Sequence, residues 1–230
     1  MLFNSISFLY YFLPVVGFII VLIAQLGISI SYKTYSRVRN DHDLTGASVA
    51  RKILDANGLD SIRVVKVSGE LTDHYDPNSK VVRLSESIYS NTSISSMAVA
   101  AHECGHAIQD KEGYSFMRIR SALVPIVNFV SYLGYFGLIV SIIGGLTGYL
   151  KLSLLVLLVT LLFQIVTLPV EFDASRRAKK ELDKLGLVSK DSLNGVRKVL
   201  FSAAMTYVAS VLSNVLQILR ILILFRGNDD

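Results

Sequence analysis

Charge is missing from long parts of this sequence. Residues 121–150 contain no charged side chain, and after the single Lys151 residues 152–170 contain none either. Each run is long enough to cross about 30 Å of hydrocarbon as a helix. With 52% hydrophobic residues and a mean hydropathy of +0.50, the composition excludes an ordinary soluble domain. The chain is predicted to be an integral membrane protein.

The sequence also lacks a basic region ahead of its first hydrophobic run, residues 8–30, and it lacks a clear cleavage site after it. The basic residues Lys33, Arg37 and Arg39 follow that run instead. A secretory signal has the opposite order. Residues 8–30 are therefore expected to be a retained membrane anchor.

Two further segments complete the predicted membrane part. Residues 199–219, followed by Arg220 and by 221–225, form a fourth hydrophobic run, and the glycine-rich residues 144–148 form a tight turn between the second and third runs. The predicted fold class is a mainly α membrane protein with about four transmembrane helices.

Cysteine occurs once, as Cys104. No disulfide bond can form within the chain, as expected for a domain that faces the cytoplasm. Cys104 lies two positions from His102 and so points to roughly the opposite side of a helix. We interpret it as a small buried residue.

Basic residues concentrate in two segments of the chain. Residues 33–120 contain twelve of the 23 Lys and Arg, and residues 176–198 contain eight. Because positive residues near spans mark the cytoplasmic side, both segments are predicted to lie inside, with the N-terminus and Lys151 outside. The net charge of +5 agrees with this bias and with contacts to anionic lipid. Nucleic acid is not an expected partner.

The motif HECGH occupies residues 102–106, in an alanine-rich segment, 93–109, that is predicted to be helical. Two histidines four positions apart lie on one face of a helix and can reach a single ion. Glu103 falls beside that ion, where it can take a proton from a zinc-bound water whose pKa the metal lowers to about 7. The pattern predicts a zinc hydrolase with His102 and His106 as ligands and Glu103 as the catalytic base.

Glu171 is the predicted third ligand, since a catalytic zinc usually has three protein ligands and one open position. It follows the third hydrophobic run and is expected to open a basic amphipathic helix that runs to Leu185 and ends at Gly186. The alternative is that Glu171 only stabilises a helix N-terminus, an effect of under about 1 kcal/mol. Two crossings separate it from the HECGH motif, so both lie on the same predicted side of the membrane.

The soluble portion between the first two spans contains a candidate edge strand. The strand before the HECGH helix is expected to lie at the edge of a sheet and to pair with an extended substrate. Capping and turn residues define the predicted elements. They are a helix at 45–57 with Thr45 as its cap, a strand at 62–67, and strands at 71–76 and 80–84 that flank Pro77 as a β-hairpin or as two short strands.

Four residues are candidates for contacting substrate or an oxyanion. His74 is a candidate for polarising the scissile carbonyl, although a histidine in a turn is often only solvated. Tyr207, Arg176 and Arg177 are the candidate oxyanion donors. The last span also has a polar face that serves either interhelical hydrogen bonds or a wet substrate groove. This face consists of Ser202, Thr206, Ser210, Ser213, Asn214 and Gln217.

Several motifs in order resemble the bacterial neutral zinc metallopeptidases of the YugP-like membrane family. They are LTDHYDP at 71–77, VRLS at 82–85, AHECGHA at 101–107 and PVEFDAS at 169–175. That family is similar to the membrane gluzincins, which include the heat-shock protease HtpX and the CAAX prenyl proteases. The resemblance covers nearly the whole chain and implies a cytoplasm-facing, gluzincin-like α+β metalloprotease domain.

The resemblance implies one zinc ion per chain, ligated by His102, His106 and Glu171, with Glu103 as the base. In the wider group the third-ligand motif often reads Glu-x-x-Ala-Asp. Here Ser175 replaces the aspartate, so it is expected to hydrogen-bond a ligand without supplying charge.

The sequence therefore predicts a multi-pass zinc endopeptidase of the bacterial cytoplasmic membrane that acts on membrane proteins or peptides. One alternative is a scaffold or chaperone that uses zinc only for stability. Another is a site-2-type intramembrane protease, although polar residues bracket the HECGH helix too closely for a full span. No feature of the sequence indicates the oligomeric state. The predicted segments are an anchor at 1–30, the protease portion at 31–120, a transmembrane hairpin at 121–170, the third-ligand helix at 171–198 and a membrane helix at 199–225.

The predicted sidedness can be measured with single cysteines introduced at positions 66, 151 and 184. A membrane-impermeant thiol reagent added to intact cells should label position 151 and leave positions 66 and 184 unlabelled. Permeabilised cells, in which all three should react, are the control. Labelling of 66 and 184 but not of 151 in intact cells reverses the predicted topology.

Overall fold

The computed structural model describes residues 2–144 and 149–227. The predicted turn at 144–148 lies outside these residues, apart from Gly144 at the end of a helix. The described elements are α1 (Leu2–Tyr35), α2 (Gly46–Ala56), β1 (Arg63–Val67), β2 (His74–Asp76), β3 (Val81–Ser85), α3 (Glu86–Ser90), α4 (Ile94–Lys111), α5 (Ser115–Gly144), α6 (Tyr149–Lys184) and α7 (Lys190–Gly227).

Four of the described helices are long and apolar enough to cross a membrane, which confirms the predicted number of spans. The helix α4, which carries the HECGH motif, has 18 residues and is not among the four. The candidate spans are Phe8–Tyr35, Ser115–Gly137, Leu150–Lys184 and Lys190–Phe225.

Contacts divide the chain into two compact units. The first unit consists of Met1–Gln25, Ile119–Leu168 and Thr206–Asp230. The second consists of Leu26–Arg118 and Pro169–Met205, and it contains both the HECGH motif and Glu171.

In the first unit, the polar face of α7 supplies a hydrogen bond between helices. The Asn214 side chain donates to Gln164 Oε1 at 3.1 Å and to the Leu157 carbonyl at 3.3 Å, both on α6. On α1, a β-carbon added at Gly17 would lie 2.9 Å from Ser213 Oγ, so α1 and α7 approach closely there. These contacts favour helix packing as the role of this face at Ser213 and Asn214.

In the second unit, α2 forms because its sequence supplies both a cap and an apolar stripe. Thr45 caps the helix by accepting from the Ser48 N–H at 3.1 Å, as predicted. Val49, Ile53 and Leu54 on its apolar face are completely buried and belong to the hydrophobic core. Each such side chain stabilises the fold by about 1.5–3 kcal/mol relative to exposure.

Cys104 lies in the same core, as predicted, and its side chain is fully buried. Its thiol is 3.6 Å from the Ala50 carbonyl oxygen on α2. Burial raises the pKa of this thiol, because the thiolate is poorly solvated in an apolar interior.

The sheet corrects the prediction about the edge strand. Its order is β1-β3-β2, with β3 parallel to β1 and antiparallel to β2. The hairpin around Pro77 is confirmed, but β3, the strand before the HECGH helix, is central. It is central because, after the hairpin with β2, β3 also pairs with the earlier strand β1, so that β2 is a terminal strand of the described sheet.

The prediction that a new helix begins at Glu171 is wrong. The helix α6 runs without a break from Tyr149 to Lys184, with Pro169 inside it. A break in an apolar segment would leave several backbone groups unpaired, which costs more than the one hydrogen bond that proline removes. Glu171 is therefore interior to a helix, and the capping alternative does not apply. The predicted stop at Gly186 is confirmed by its φ of +62°.

We expect Asn214→Val to lower the free energy of unfolding by roughly 0.5–1.5 kcal/mol, because Gln164 and the Leu157 carbonyl lose their shared donor. Denaturation in mixed micelles measures this change. Gln217→Val on the same helix is the matched control. Equal effects of the two substitutions would contradict a packing role for Asn214.

Candidate metal centre

The histidines of the HECGH motif face one way because α4 places residues four apart one turn from each other. The His102 and His106 ring centroids are 4.7 Å apart. On α6, Glu171 presents Oε2 at 3.2 Å from His102 Nε2 and at 3.7 Å from His106 Nε2. Candidate ligand atoms of all three side chains lie within 4.8 Å of one another.

This donor set fits a zinc ion. Two imidazoles and one carboxylate are a standard set for catalytic zinc. Two atoms that each bind zinc at about 2.1 Å with a tetrahedral angle lie roughly 3.4 Å apart, close to the two distances between Glu171 and the histidines. Three donors also leave a fourth position open.

The electrostatics of the site favour a cation. Glu171 is 3% exposed, and an isolated carboxylate buried to that degree would be costly. Burial lowers the pKa of His106, but the hydrogen bond and the charge of Glu171 outweigh it, and the pKa is raised. Positive charge between these side chains is therefore stabilised.

Gly105 allows α4 and α6 to approach closely at this point. A β-carbon added at Gly105 would lie 2.5 Å from the carbonyl oxygen of Ala174, a backbone atom that cannot rotate away. Any larger residue would move the helix carrying His102 and His106 away from the helix carrying Glu171.

Glu103 lies beside the three candidate ligands and is held by the sheet. Its side chain is 7% exposed, and Oε2 accepts the Tyr75 backbone N–H from β2 at 2.9 Å. The Tyr75 hydroxyl donates in turn to Asp110 Oδ2 on α4 at 2.7 Å. Burial and the Asp110 carboxylate both raise the pKa of Tyr75. The terminal strand β2 is thus fixed against the helix that carries Glu103.

Both histidines have hydrogen-bond partners on the ring nitrogen that faces away from Glu171. Ser175 Oγ is 3.2 Å from His102 Nδ1. Gln109 Oε1 is 3.0 Å from His106 Nδ1. The first contact involves the serine that was expected to hydrogen-bond a ligand, and the second involves a residue to which the sequence analysis gave no role.

Three other residues predicted to belong to the site bond to groups other than the candidate ligands. His74 is exposed, and its Nδ1 is 2.7 Å from the Thr72 carbonyl oxygen. Arg176 and Arg177 both form ion pairs with Asp173. None of these three candidates forms a hydrogen bond to the histidines or Glu171 in the described part of the second unit.

Tyr207 was predicted as a site residue, whereas Gln109 was not. Tyr207 belongs to the first unit, and about a third of its side chain is exposed. Its predicted role and those of His74, Arg176 and Arg177 stay predictions. Gln109 was missed, although its position three residues after His106 on the same helical face was a usable signal.

Comparison with known proteins finds a family of zinc metallopeptidases. Residues 10–226 match the model of a family described as "Putative neutral zinc metallopeptidase". The chain is 41% identical over 221 residues to a Bacillus subtilis (strain 168) protein named "Putative membrane protease YugP", covering 93% of this chain and 98% of the relative. No match was found among solved structures. The chain belongs to the neutral zinc metallopeptidase family that this model describes.

Proposed function

We propose that the protein is a membrane-embedded, zinc-dependent endopeptidase that hydrolyses peptide bonds of membrane proteins or peptides. The observation that carries the proposal is the convergence of His102, His106 and Glu171 within 4.8 Å, next to the carboxylate of Glu103. Family membership and the name of the Bacillus subtilis relative support the same class of reaction.

His102, His106 and Glu171 are the proposed ligands of one zinc ion per chain. When bound, the ion polarises the scissile carbonyl and acidifies a water molecule. Glu103 accepts a proton from the attacking water and delivers it to the departing amine. The water oxygen bonds to the carbonyl carbon, and the C–N bond breaks.

Hydrogen bonds in the structure support Glu103 as a base whose side chain is already held in place. The Tyr75 backbone N–H holds one oxygen of Glu103 at 2.9 Å, and the Tyr75 hydroxyl ties β2 to Asp110 on α4. A carboxylate held in place loses less conformational freedom during proton transfer.

An extended peptide is the proposed form of the substrate at the site. β2 is a terminal strand of the described sheet, and one of its backbone N–H groups points to Glu103. Because the Tyr75 N–H is taken by Glu103, a segment lying along this strand would pair with the remaining backbone groups of its edge and bring its own backbone past the base, by β-augmentation. The edge strand of this proposal is therefore β2, in place of the strand expected from the sequence.

The site is proposed to face the cytoplasm, with the N-terminus outside. Support comes from the two basic segments, 33–120 and 176–198, which lie at and between the ends of the candidate spans, because basic residues near spans favour the inner side. The second unit, with its helices and small sheet, corresponds to the proposed gluzincin-like domain.

A scaffold that uses zinc only for stability is the competing function. Structural zinc sites usually close all four positions with Cys or His, whereas the group found in the described residues has three members. A scaffold also has no use for a carboxylate placed beside the histidines. The two functions differ in what happens when Glu103 is changed.

Purified protein should contain one zinc ion per chain, and Glu171→Ala should weaken zinc binding by at least about 100-fold, more than the loss of an outer contact does. Competition with a chelator of known affinity measures the change. Glu181→Gln is the matched control, because Glu181 is a buried carboxylate on α6 that bonds to Asn57 instead. Full zinc occupancy in Glu171→Ala protein rules out Glu171 as a ligand.

Glu103→Gln should leave zinc content and thermal stability near wild type and lower peptide-bond cleavage at least about 100-fold, because the side chain keeps its size and loses its basicity. Turnover of a membrane substrate by protein reconstituted in liposomes measures the effect. Glu86→Gln, an exposed glutamate paired with Lys66, is the matched control. Unchanged turnover by the Glu103 variant favours the scaffold.

A further inference from the structure

Gln109 is a polar side chain with no exposure to solvent at all. It lies on α4 three residues after His106, so both side chains share one face of the helix. A buried amide is costly unless both of its ends find partners. A stable position for Gln109 in the core next to a candidate ligand therefore requires hydrogen-bond partners for both its nitrogen and its oxygen.

Both ends of the Gln109 amide have partners. Its nitrogen donates to the Val170 carbonyl oxygen at 2.8 Å and to Asp173 Oδ2 at 3.0 Å. Its oxygen is 3.0 Å from His106 Nδ1. The Val170 carbonyl and Asp173 Oδ2 are both acceptors, so the amide group next to them must be the donating nitrogen. The amide oxygen of Gln109 must then face His106.

This orientation decides the tautomer of His106. An amide oxygen only accepts hydrogen bonds, so His106 Nδ1 must carry the hydrogen. In the neutral ring, the lone pair is then on Nε2, the nitrogen 3.7 Å from Glu171 Oε2. That is the nitrogen that must be free of a proton to bind a metal at this place.

The same amide connects the two helices that carry the candidate ligands. Val170 and Asp173 lie on either side of Glu171 in α6, so the contacts of Gln109 fix this segment of α6 against His106 on α4. Asp173 is itself anchored: it is 7% exposed and accepts from Arg177 Nε at 2.5 Å and from Arg176. Arg177 also bonds to Glu112 at 2.6 Å.

We propose that Gln109 is a positioning residue that sets the tautomer of His106 and its distance from Glu171, with Asp173 anchoring the Gln109 amide. This inference rests on the proposed zinc site. It assigns the role that a carboxylate or backbone carbonyl often has behind a zinc-bound histidine to a side-chain amide shared between two helices.

The test is the affinity of the full-length protein for zinc, measured by chelator competition for wild type and for Gln109→Met. Methionine keeps the length of the side chain and removes its polar atoms. Zinc affinity should fall about 10- to 100-fold, the range typical for loss of an outer hydrogen bond to a ligand. The visible absorption of the cobalt-substituted protein should change as well, because it reports the ligand geometry directly.

Asn57→Leu is the matched control. Asn57 also makes a side-chain hydrogen bond to α6, partly buried, to Glu181 Oε2 at 2.8 Å, but outside the metal centre. If Gln109 only holds the helices together, both substitutions lower the thermal stability of the metal-free protein and neither changes zinc affinity or the cobalt spectrum.

Zinc binding within about twofold of wild type in Gln109→Met overturns the inference. If that variant does not fold, Asp173→Leu replaces it, because leucine is similar in size and cannot accept from the Gln109 amide; unchanged zinc affinity in Asp173→Leu overturns the inference in the same way. Wild-type protein that binds no zinc contradicts the proposed function instead, so the two failures are distinguishable.

Discussion

The site depends on the close approach of α4 and α6 at Gly105. Helices that carry ordinary side chains at their contact pack with axes about 8–10 Å apart, and the Ala174 carbonyl lies where the first atom of such a side chain would be. Glycine inside a helix costs about 1 kcal/mol relative to alanine. That cost is offset here because Glu171 can then reach both histidines at 3.2 and 3.7 Å. The glycine of the HECGH motif is thus part of the geometry of the site.

Local patterns in the sequence were sufficient for much of this architecture. The four apolar runs, the cap at Thr45 and the hairpin around Pro77 depend on residues near one another in the chain, and the structure confirms them. The spacing of His102 and His106 has the period of a helix, so their common face could also be predicted. Glu171 was predicted because a catalytic zinc usually has a third protein ligand, for which a carboxylate is suitable. The structure brings Glu171 to the two histidines.

The features that the sequence did not predict depend on contacts between residues that are not neighbours in the chain. The helix did not begin at Glu171, because the pressure to keep backbone groups paired in an apolar segment outweighs the effect of Pro169. β3 is central because it pairs in parallel with β1, a strand that is not its neighbour in the chain. Asp173 and Tyr75 gained their positions from packing between elements far apart in the chain. Residues that hold the ligands and the base in place are harder to predict than the ligands, because their hydrogen-bond partners are known only once the fold is known.

The donor that holds Glu103 belongs to the backbone, so it does not depend on which residue other than proline stands at position 75. Every amino acid except proline supplies the same N–H at position 75, so the Tyr75 side chain affects this donor only by tying β2 to Asp110. The bond also distinguishes the two oxygens of Glu103: Oε2 accepts the N–H of the strand, which leaves Oε1 as the more basic oxygen for the proposed proton transfer. The path of the main chain through β2 thus makes the two oxygens of the Glu103 carboxylate chemically unequal.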